Sequence, residues 1–453
     1  MTLERAQLGL LAALAATIPV SIFASQALLA LSLGVLAARV AARRTRLVRT
    51  PLDTPLLALV VWTLLAACFA QDPVASHEYS KKLLLYALFY LAVEVLSREE
   101  DRERVLAAAL LGGLALAGLM TAQRLFLGYD ELSRRPPGFL GHYMSASGVA
   151  MAILLLATAR LAFRPLPRPR PGDFSLPLLV LAGVGAVAAA TAAGHGTLAT
   201  RLFVAALAAG AAAAALSSRD AARNAPAALP WLAAPVAAWA LVASQTRSAW
   251  IGALLGLAVV AALRAPRLLW LIGGATLAVL VLRPAALTPR LTIEDDSSRD
   301  RYYMWQAGLD MIMDKPIFGQ GTGMILAAYP KYRWQGAPNP NAPHLHNNFI
   351  QVAAERGLPC LVFLGWILYL LGREAWRVRG VSRYGPLVLA VLAATLSSGM
   401  FEYTLGDSEI LMLVLLLSAL PFSTRSQARE SGLAETANPD ALSLADADTV
   451  LEQ

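Results

Sequence analysis

The stretch PHLHNNFIQVAAERGLPCLVFLGWILYLL runs from Pro343 to Leu371. Its second half, from Leu358 onward, is apolar and uncharged, as a helix inside a bilayer requires. Its first half carries His344, His346, Asn347, Asn348, Gln351, Glu355 and Arg356. A membrane helix with this much hydrogen-bonding capacity at its mouth poses two questions: how many such helices the chain holds, and what the polar mouth does.

Apolar runs of similar character recur along the whole chain. Hydrophobic residues make up 57% of the 453 residues and charged residues 15%, against about a quarter charged in a soluble domain. The pattern predicts an all-α polytopic integral membrane protein; a β-barrel would show short alternating segments instead. Spans are expected near 7–22, 25–42, 53–70, 83–98, 104–122, 145–163, 176–193, 198–216, 228–243, 249–264, 267–283, 357–372, 385–401 and 408–422, so about 12 to 14 in all. The first apolar run is read as a retained span, because a second run follows it and no polar mature domain does. Domain limits follow: a helical bundle over 1–283, a large loop over 284–345, further membrane helices over 346–423, and an acidic, disordered tail over 424–453. Cys68 and Cys360 lie in apolar segments and give neither a disulfide framework nor a zinc pattern.

Arginine sets the expected orientation. Arg39, Arg43, Arg44, Arg46 and Arg49 fall in one inter-span loop, and Arg160, Arg164, Arg168 and Arg170 in another. Arg219 and Arg223, Arg264 and Arg267, and Arg373, Arg377, Arg379 and Arg383 follow on the same side. The positive-inside rule makes that side cytoplasmic, with both termini there. The net charge of +8 is explained by these loops and is no nucleic-acid footprint. All five histidines, His77, His142, His195, His344 and His346, fall on the opposite side. So does the 284–345 loop, which is expected to be ordered. Within it, Tyr302, Trp305, Leu309 and Ile312 share a face at helical spacing over Arg301–Met313. Pro316 should stop that helix, and Gly319, Gly321 and Gly323 should form a tight turn beyond it.

His346 is the first candidate for chemistry. A bland reading makes His344, His346, Asn347 and Asn348 helix caps or interface residues. The density of the cluster, with Gln351 and Glu355 one turn apart behind it, favours a proton-exchanging role for the imidazole. Two histidines alone do not make a zinc site, and no HExxH is present, so no metal is expected. Arg247 lies at the start of a span on the histidine side, against the positive-inside bias, where snorkelling is the plain alternative. Arg301 opens the loop helix; Asp295, Asp296 and Asp300 could simply pair with it. Arg135 leads into another span. Several arginines and a histidine on one membrane face suit a lipid-linked phosphate substrate, because the guanidinium fork matches phosphate oxygens.

Four stretches carry a more specific signal: RPPGFLGHYMSASGVA at Arg135–Ala150, SQTRSAWIGAL at Ser244–Leu254, SSRDRYYMWQAGLDMIMDKPIFGQGTG at Ser297–Gly323, and HNNFIQVAAERGLPC at His346–Cys360. In order and spacing they resemble the O-antigen ligase and O-antigen polymerase superfamily of bacterial envelope glycosyltransferases. Two departures are visible. Tyr143-Met144 stand where many members have Pro-Asn, and a Ser-Arg-Gly motif of some members reads TAAGHGTLATR at Thr191–Arg201, with Arg201 displaced.

The resemblance implies a reaction at the periplasmic face of the bacterial inner membrane. The donor would be a glycan on undecaprenyl pyrophosphate and the acceptor a sugar hydroxyl of lipid A–core. His346 would be the general base, Arg247 and Arg301 would bind the pyrophosphate, and the transfer would be inverting and free of metal or other cofactor. Arg135, His142, His344, Asn347, Asn348, Tyr302, Trp305 and Glu355 complete the implied substrate-binding set. The rivals are an O-antigen polymerase, a protein O-oligosaccharyltransferase and, from a different class, a lipid-linked glycan transporter.

Overall fold

A computed structural model describes residues 3–163, apart from 44, 46, 130, 132 and 133, and residues 170–216, 228–282 and 296–423. Every regular element among them is helical. Seven helices are long and apolar enough to cross a membrane: Ile22–Ala41, Glu99–Phe126, Tyr143–Phe163, Pro171–Ala192, Gly196–Ala214, Arg247–Arg264 and Asn348–Arg377. Five shorter apolar helices, Asp53–Cys68, Ala228–Ser244, Leu268–Ala278, Tyr384–Ser398 and Ser408–Ser423, occupy other expected spans. The molecule is thus a polytopic helical membrane protein, and the higher expected count is approached only with the shorter helices included. The stretch expected as a span at 83–98 differs most. A 3-10 segment, Ser80–Tyr86, runs into a helix of nine residues, Ala87–Val95. The proposed tail at 424–453, residues 284–295 with Asp295, and Arg44, Arg46, Arg164, Arg168, Arg219 and Arg223 lie outside the described residues.

The elements that matter for the site are labelled α1 (Leu3–Thr17), α2 (Ile22–Ala41), α3 (Glu99–Phe126), α4 (Tyr143–Phe163), α5 (Gly196–Leu216), α6 (Arg247–Arg264), α7 (Asp296–Asp314), α8 (Asn348–Arg377), α9 (Tyr384–Ser398) and α10 (Ser408–Ser418). α3 and α4 form the centre and are buried along most of their length. α6 and α9 pack most closely of all pairs. Gly252 and Gly256 of α6 lie four apart and face α9, where an added Cβ would stand 2.8 Å from the Ala394 carbonyl and 3.0 Å from that of Ala390. Small residues at this spacing let two backbones meet inside a bilayer. That contact fixes the N-terminus of α6, with Arg247, beside the C-terminus of α9.

A buried ion cluster pins the bundle at the other end of these helices. Glu103 of α3 takes Arg160 of α4 at 2.6 Å and Arg383, just before α9, at 3.0 Å; Glu99 also pairs with Arg383. Two of the arginines read as topology markers are therefore also packed inside the bundle.

The loop domain is ordered over the described part. α7 begins at Asp296 and ends at Asp314, followed by Pro316 and the three glycines, whose φ values are 67°, 104° and 75°. The helix and the turn match the sequence reading; the residues it buries are not Tyr302, Trp305, Leu309 and Ile312. Met304, Ala307, Gly308 and Met311 face inward with Asp300, against Ile325, Tyr329, Leu345 and Ala354, while Tyr302 and Leu309 are exposed. Close approach decides this: a Cβ on Gly308 would stand 2.5 Å from Ile350. The narrow side of the helix lies against α8, Tyr302 is left outside, and Tyr303 and Trp305 are half-buried.

α8 is broken at Gly357, which has φ 79° and ψ 169°. A Cβ there would stand 1.8 Å from the carbonyl oxygen of Ile317, so only glycine lets the post-α7 turn press against this kink. The polar first half of α8 and its apolar second half are two helices joined at the expected span boundary.

Candidate active site

His346 lies just before α8, with its backbone at φ 48°. Such a conformation costs a non-glycine residue on the order of 1–3 kcal/mol and marks positions the surrounding structure has to hold. Gln245, two residues before Arg247, shares the feature with φ 50°. Asn347 explains how the chain turns from His346 into the helix. Its side chain caps α8 by accepting from the Phe349 and Ile350 amides at 2.9 and 3.1 Å. Its amide group donates to the Met400 carbonyl at 2.9 Å. Asn348 is buried; its side chain donates to Thr404 Oγ1 at 2.9 Å and accepts from the Leu405 amide at 3.1 Å. Its own amide donates to the Gly399 carbonyl at 2.7 Å. The two asparagines thus fasten the α9–α10 loop beside His346.

That loop supplies Glu402. Its carboxylate accepts from His346 Nδ1 at 2.9 and 3.0 Å through its two oxygens. Arg301 Nη2 stands 3.6 Å from one of them and His344 Nε2 3.8 Å from the other. Burial works to raise the pKa of this carboxyl, but the His346 hydrogen bond and the charges of His346, His344 and Arg301 outweigh it and hold the group at about 2. A carboxylate only accepts, so Nδ1 of His346 carries the proton and Nε2 is the open nitrogen. Burial lowers the pKa of His344, with His346 adding to the effect and Glu402 opposing it. His142 is also lowered, first by desolvation and then by Arg135 and His346 against the pull of Glu402. Both are uncharged at neutral pH. His142 is thus an electrostatic neighbour of the His346–Glu402 pair and of Arg135, whose guanidinium lies 3.4 Å over the Tyr143 ring.

The two catalytic arginine candidates meet at the start of α7. Arg247 Nη2 donates to Ser298 Oγ at 3.1 Å, and Arg301 Nη1 donates to Ser297 Oγ at 2.9 Å. Asp300 is turned away to the backbone and side chain of Asn339, and Asp296 pairs with Arg299, so neither takes up Arg301. Trp305 donates from its indole to the His346 carbonyl at 3.4 Å and leans on Phe401. Tyr302 packs against Tyr303 and is 55% exposed.

Glu355 lies elsewhere, buried against the glycine turn. It accepts from the Gly323 amide at 3.0 Å and from Gln351 at 2.9 Å, and pairs with Arg356 at 3.4 Å. Gln351 in turn accepts from the Leu345 amide at 2.7 Å. His77 contacts Pro73 and Cys68, and His195 sits in the turn before α5.

Glu402 was not among the sequence candidates. Its signal was an acid between two spans, in GMFEYTLGD at Gly399–Asp407. One donor atom each from His344, His346 and Glu402 lie within 4.8 Å of one another, a ligand set whose chemistry suits a divalent ion. Arg301 beside the same carboxylate opposes a second cation there and supplies the positive charge instead.

The site is thus a histidine–carboxylate pair with two arginines beside it, at one end of a helical membrane bundle. Residues 232–365 match the family model described as O-antigen ligase. No curated protein matches the chain. The matched segment holds Arg247, Arg301, His344 and His346 and ends before Glu402.

Proposed function

We propose that this protein is an O-antigen ligase of the bacterial inner membrane, working at the periplasmic face. The donor is a glycan on undecaprenyl pyrophosphate and the acceptor is a hydroxyl on lipid A–core. The observation that carries the reading is Glu402 bonded to Nδ1 of His346, with Arg301 on the same carboxylate. This arrangement leaves Nε2 as a base at the mouth of a membrane helix.

In the step we propose, Nε2 takes the proton of the acceptor hydroxyl. That oxygen attacks the anomeric carbon from the face opposite the pyrophosphate. The anomeric carbon–oxygen bond breaks, its electron pair leaves with undecaprenyl pyrophosphate, and the configuration inverts. Arg247 and Arg301 bind the pyrophosphate and stabilise the charge it gains, with Arg135 assisting. Fixed cations in a site of low dielectric commonly contribute on the order of 10²–10³ in rate each. The imidazolium formed on His346 is stabilised by Glu402, and His344 and His142, uncharged, do not compete for the anion. Asn347, Asn348 and Trp305 hold His346 in place; Tyr302 and the exposed rim of α7 face the acceptor, and Glu355 braces the glycine turn.

The envelope glycan profile of a deletion strain, complemented with wild type or His346→Ala, tests this. Bare lipopolysaccharide core with accumulating lipid-linked polymer, rescued by wild type and not by a normally expressed His346→Ala, is the expected result. Core carrying a single repeat unit would instead identify a polymerase. Rescue by His346→Ala would point to transport.

A further inference from the structure

A groove of about 540 Å³ opens on the side of the bundle, between α2 and α5, with Val20 at its edge. That volume lies within the range of small-molecule sites, roughly 300–1,000 Å³. Its lining is apolar, with Phe23, Leu28, Leu31 and Val204 among the walls, and Arg201 as its single charged residue. Phe23 is 84% exposed and Leu31 59%, as expected of side chains that look into lipid. Along α2 the groove runs from Ile22 to Leu31, and along α5 from Thr200 to Ala208. At the helical rise each wall is roughly 12–14 Å long, about half of a 30 Å hydrocarbon core. The groove is therefore one leaflet deep.

Two features give it a direction. Phe139 and Leu140 line one end, and Phe139 stacks on Phe203 of α5 at 5.6 Å. These residues are followed by Gly141 and His142, so that end belongs to the loop that carries His142, an electrostatic neighbour of His346 and Glu402. Arg201 stands at the same end, one turn into α5, exposed and without a hydrogen bond or ion pair among the described residues. An arginine that only snorkels needs no groove beneath it. Here the cation stands on the wall of an apolar groove.

We infer that this groove is the lateral docking seat for the polyisoprenyl chain of the donor, with Arg201 meeting its phosphate on entry. The inference rests on the donor class proposed above. An isoprenoid chain matches the apolar walls and a phosphate the lone cation, and the Phe139–His142 loop is the route by which the headgroup passes to Arg247 and Arg301.

The test uses the full chain in lipid nanodiscs with a diazirine-bearing polyisoprenyl pyrophosphate that carries no glycan, so that binding is read apart from transfer. Cross-links are expected in the Ile22–Leu31 and Thr200–Ala208 peptides. Unlabelled undecaprenyl pyrophosphate should compete and phosphatidylglycerol should not. Ala205→Trp, which fills the groove away from the catalytic groups, should lower labelling by about tenfold, a loss of about 1.4 kcal/mol in binding. Arg201→Gln should weaken competition by the pyrophosphate more than competition by the uncharged polyisoprenol. His346→Ala should label like wild type. Equal labelling by a diazirine phosphatidylglycerol, or labelling that Ala205→Trp leaves unchanged, overturns the inference. A wild-type protein that labels in the groove yet transfers no glycan upholds the docking seat and overturns only the ligase reading.

Discussion

Glu402 is the residue that joins His346, His344 and Arg301, and on the mechanism proposed above it acts through His346 rather than on substrate. Glu402→Gln keeps the shape and loses the charge. It should lower kcat by roughly 10²-fold while KM stays within about twofold, because orientation and imidazolium stabilisation are lost and substrate contacts are not. It also leaves Arg301 without its counter-ion, at a stability cost of up to about 3 kcal/mol, readable by thermal unfolding. A purely structural carboxylate would reduce folded protein without this split. The pH response has a defined sign. His344 and His142 have folded pKa values below 6.5, so below 6.5 the unfolded chain binds protons the folded one refuses. Stability therefore falls as pH drops from 6.5 through the depressed folded values. Asp407, raised to about 7 chiefly by burial and then by Glu409, acts in the other direction, weakening the fold as pH rises from 3.8 to 7. Thermal unfolding across pH 5–8 should show the histidine effect more clearly in Asp407→Asn. A pH-independent midpoint in that variant would refute the assignment.

At the scale of elements, the short loop between α9 and α10 is held by the first residues of α8. Asn348→Ala removes its partner from the Leu405 amide and from Thr404, and a buried amide left unsatisfied costs about 1–3 kcal/mol. Activity should fall further than stability, because Glu402 rides on that loop; equal activity per folded molecule would contradict this. The contrast with the sequence is instructive. His346, Arg247 and Arg301 were legible because each breaks a local rule, a polar group where an apolar span or the charge bias forbids one. The glycine turn and the kink at Gly357 were legible through composition. Glu402 was not, since an acid between two spans breaks no rule, and its meaning depends on a contact 56 residues away. The inward face of α7 was not read from the sequence: large side chains such as Tyr302 and Leu309 mark the amphipathic pattern, whereas close helix approach rewards Ala307 and Gly308.

For the whole molecule, the geometry of the site depends on the seam between α6 and α9. Gly252→Leu would drive side-chain atoms into Met151 and the Ala394 carbonyl. It should part Arg247 from the Glu402 loop, reducing transfer by tenfold or more at an overpacking cost of about 1–3 kcal/mol. Membrane insertion should be normal, checked by expression level and detergent-extracted melting. Loss of insertion would show instead that the seam is needed earlier than the site.

The hydrogen bonds from Asn347 and Asn348 to Met400, Gly399, Thr404 and Leu405 also carry a message about time. A ribosome makes Arg247 and Arg301 first, His346 next and the Glu402 carboxylate that orients it after them. Until residues 399–405 have emerged and folded back, the nascent protein holds a membrane bundle and two cations but no oriented base. On the function proposed above, each new copy begins to work only once residues 399–405 are in place.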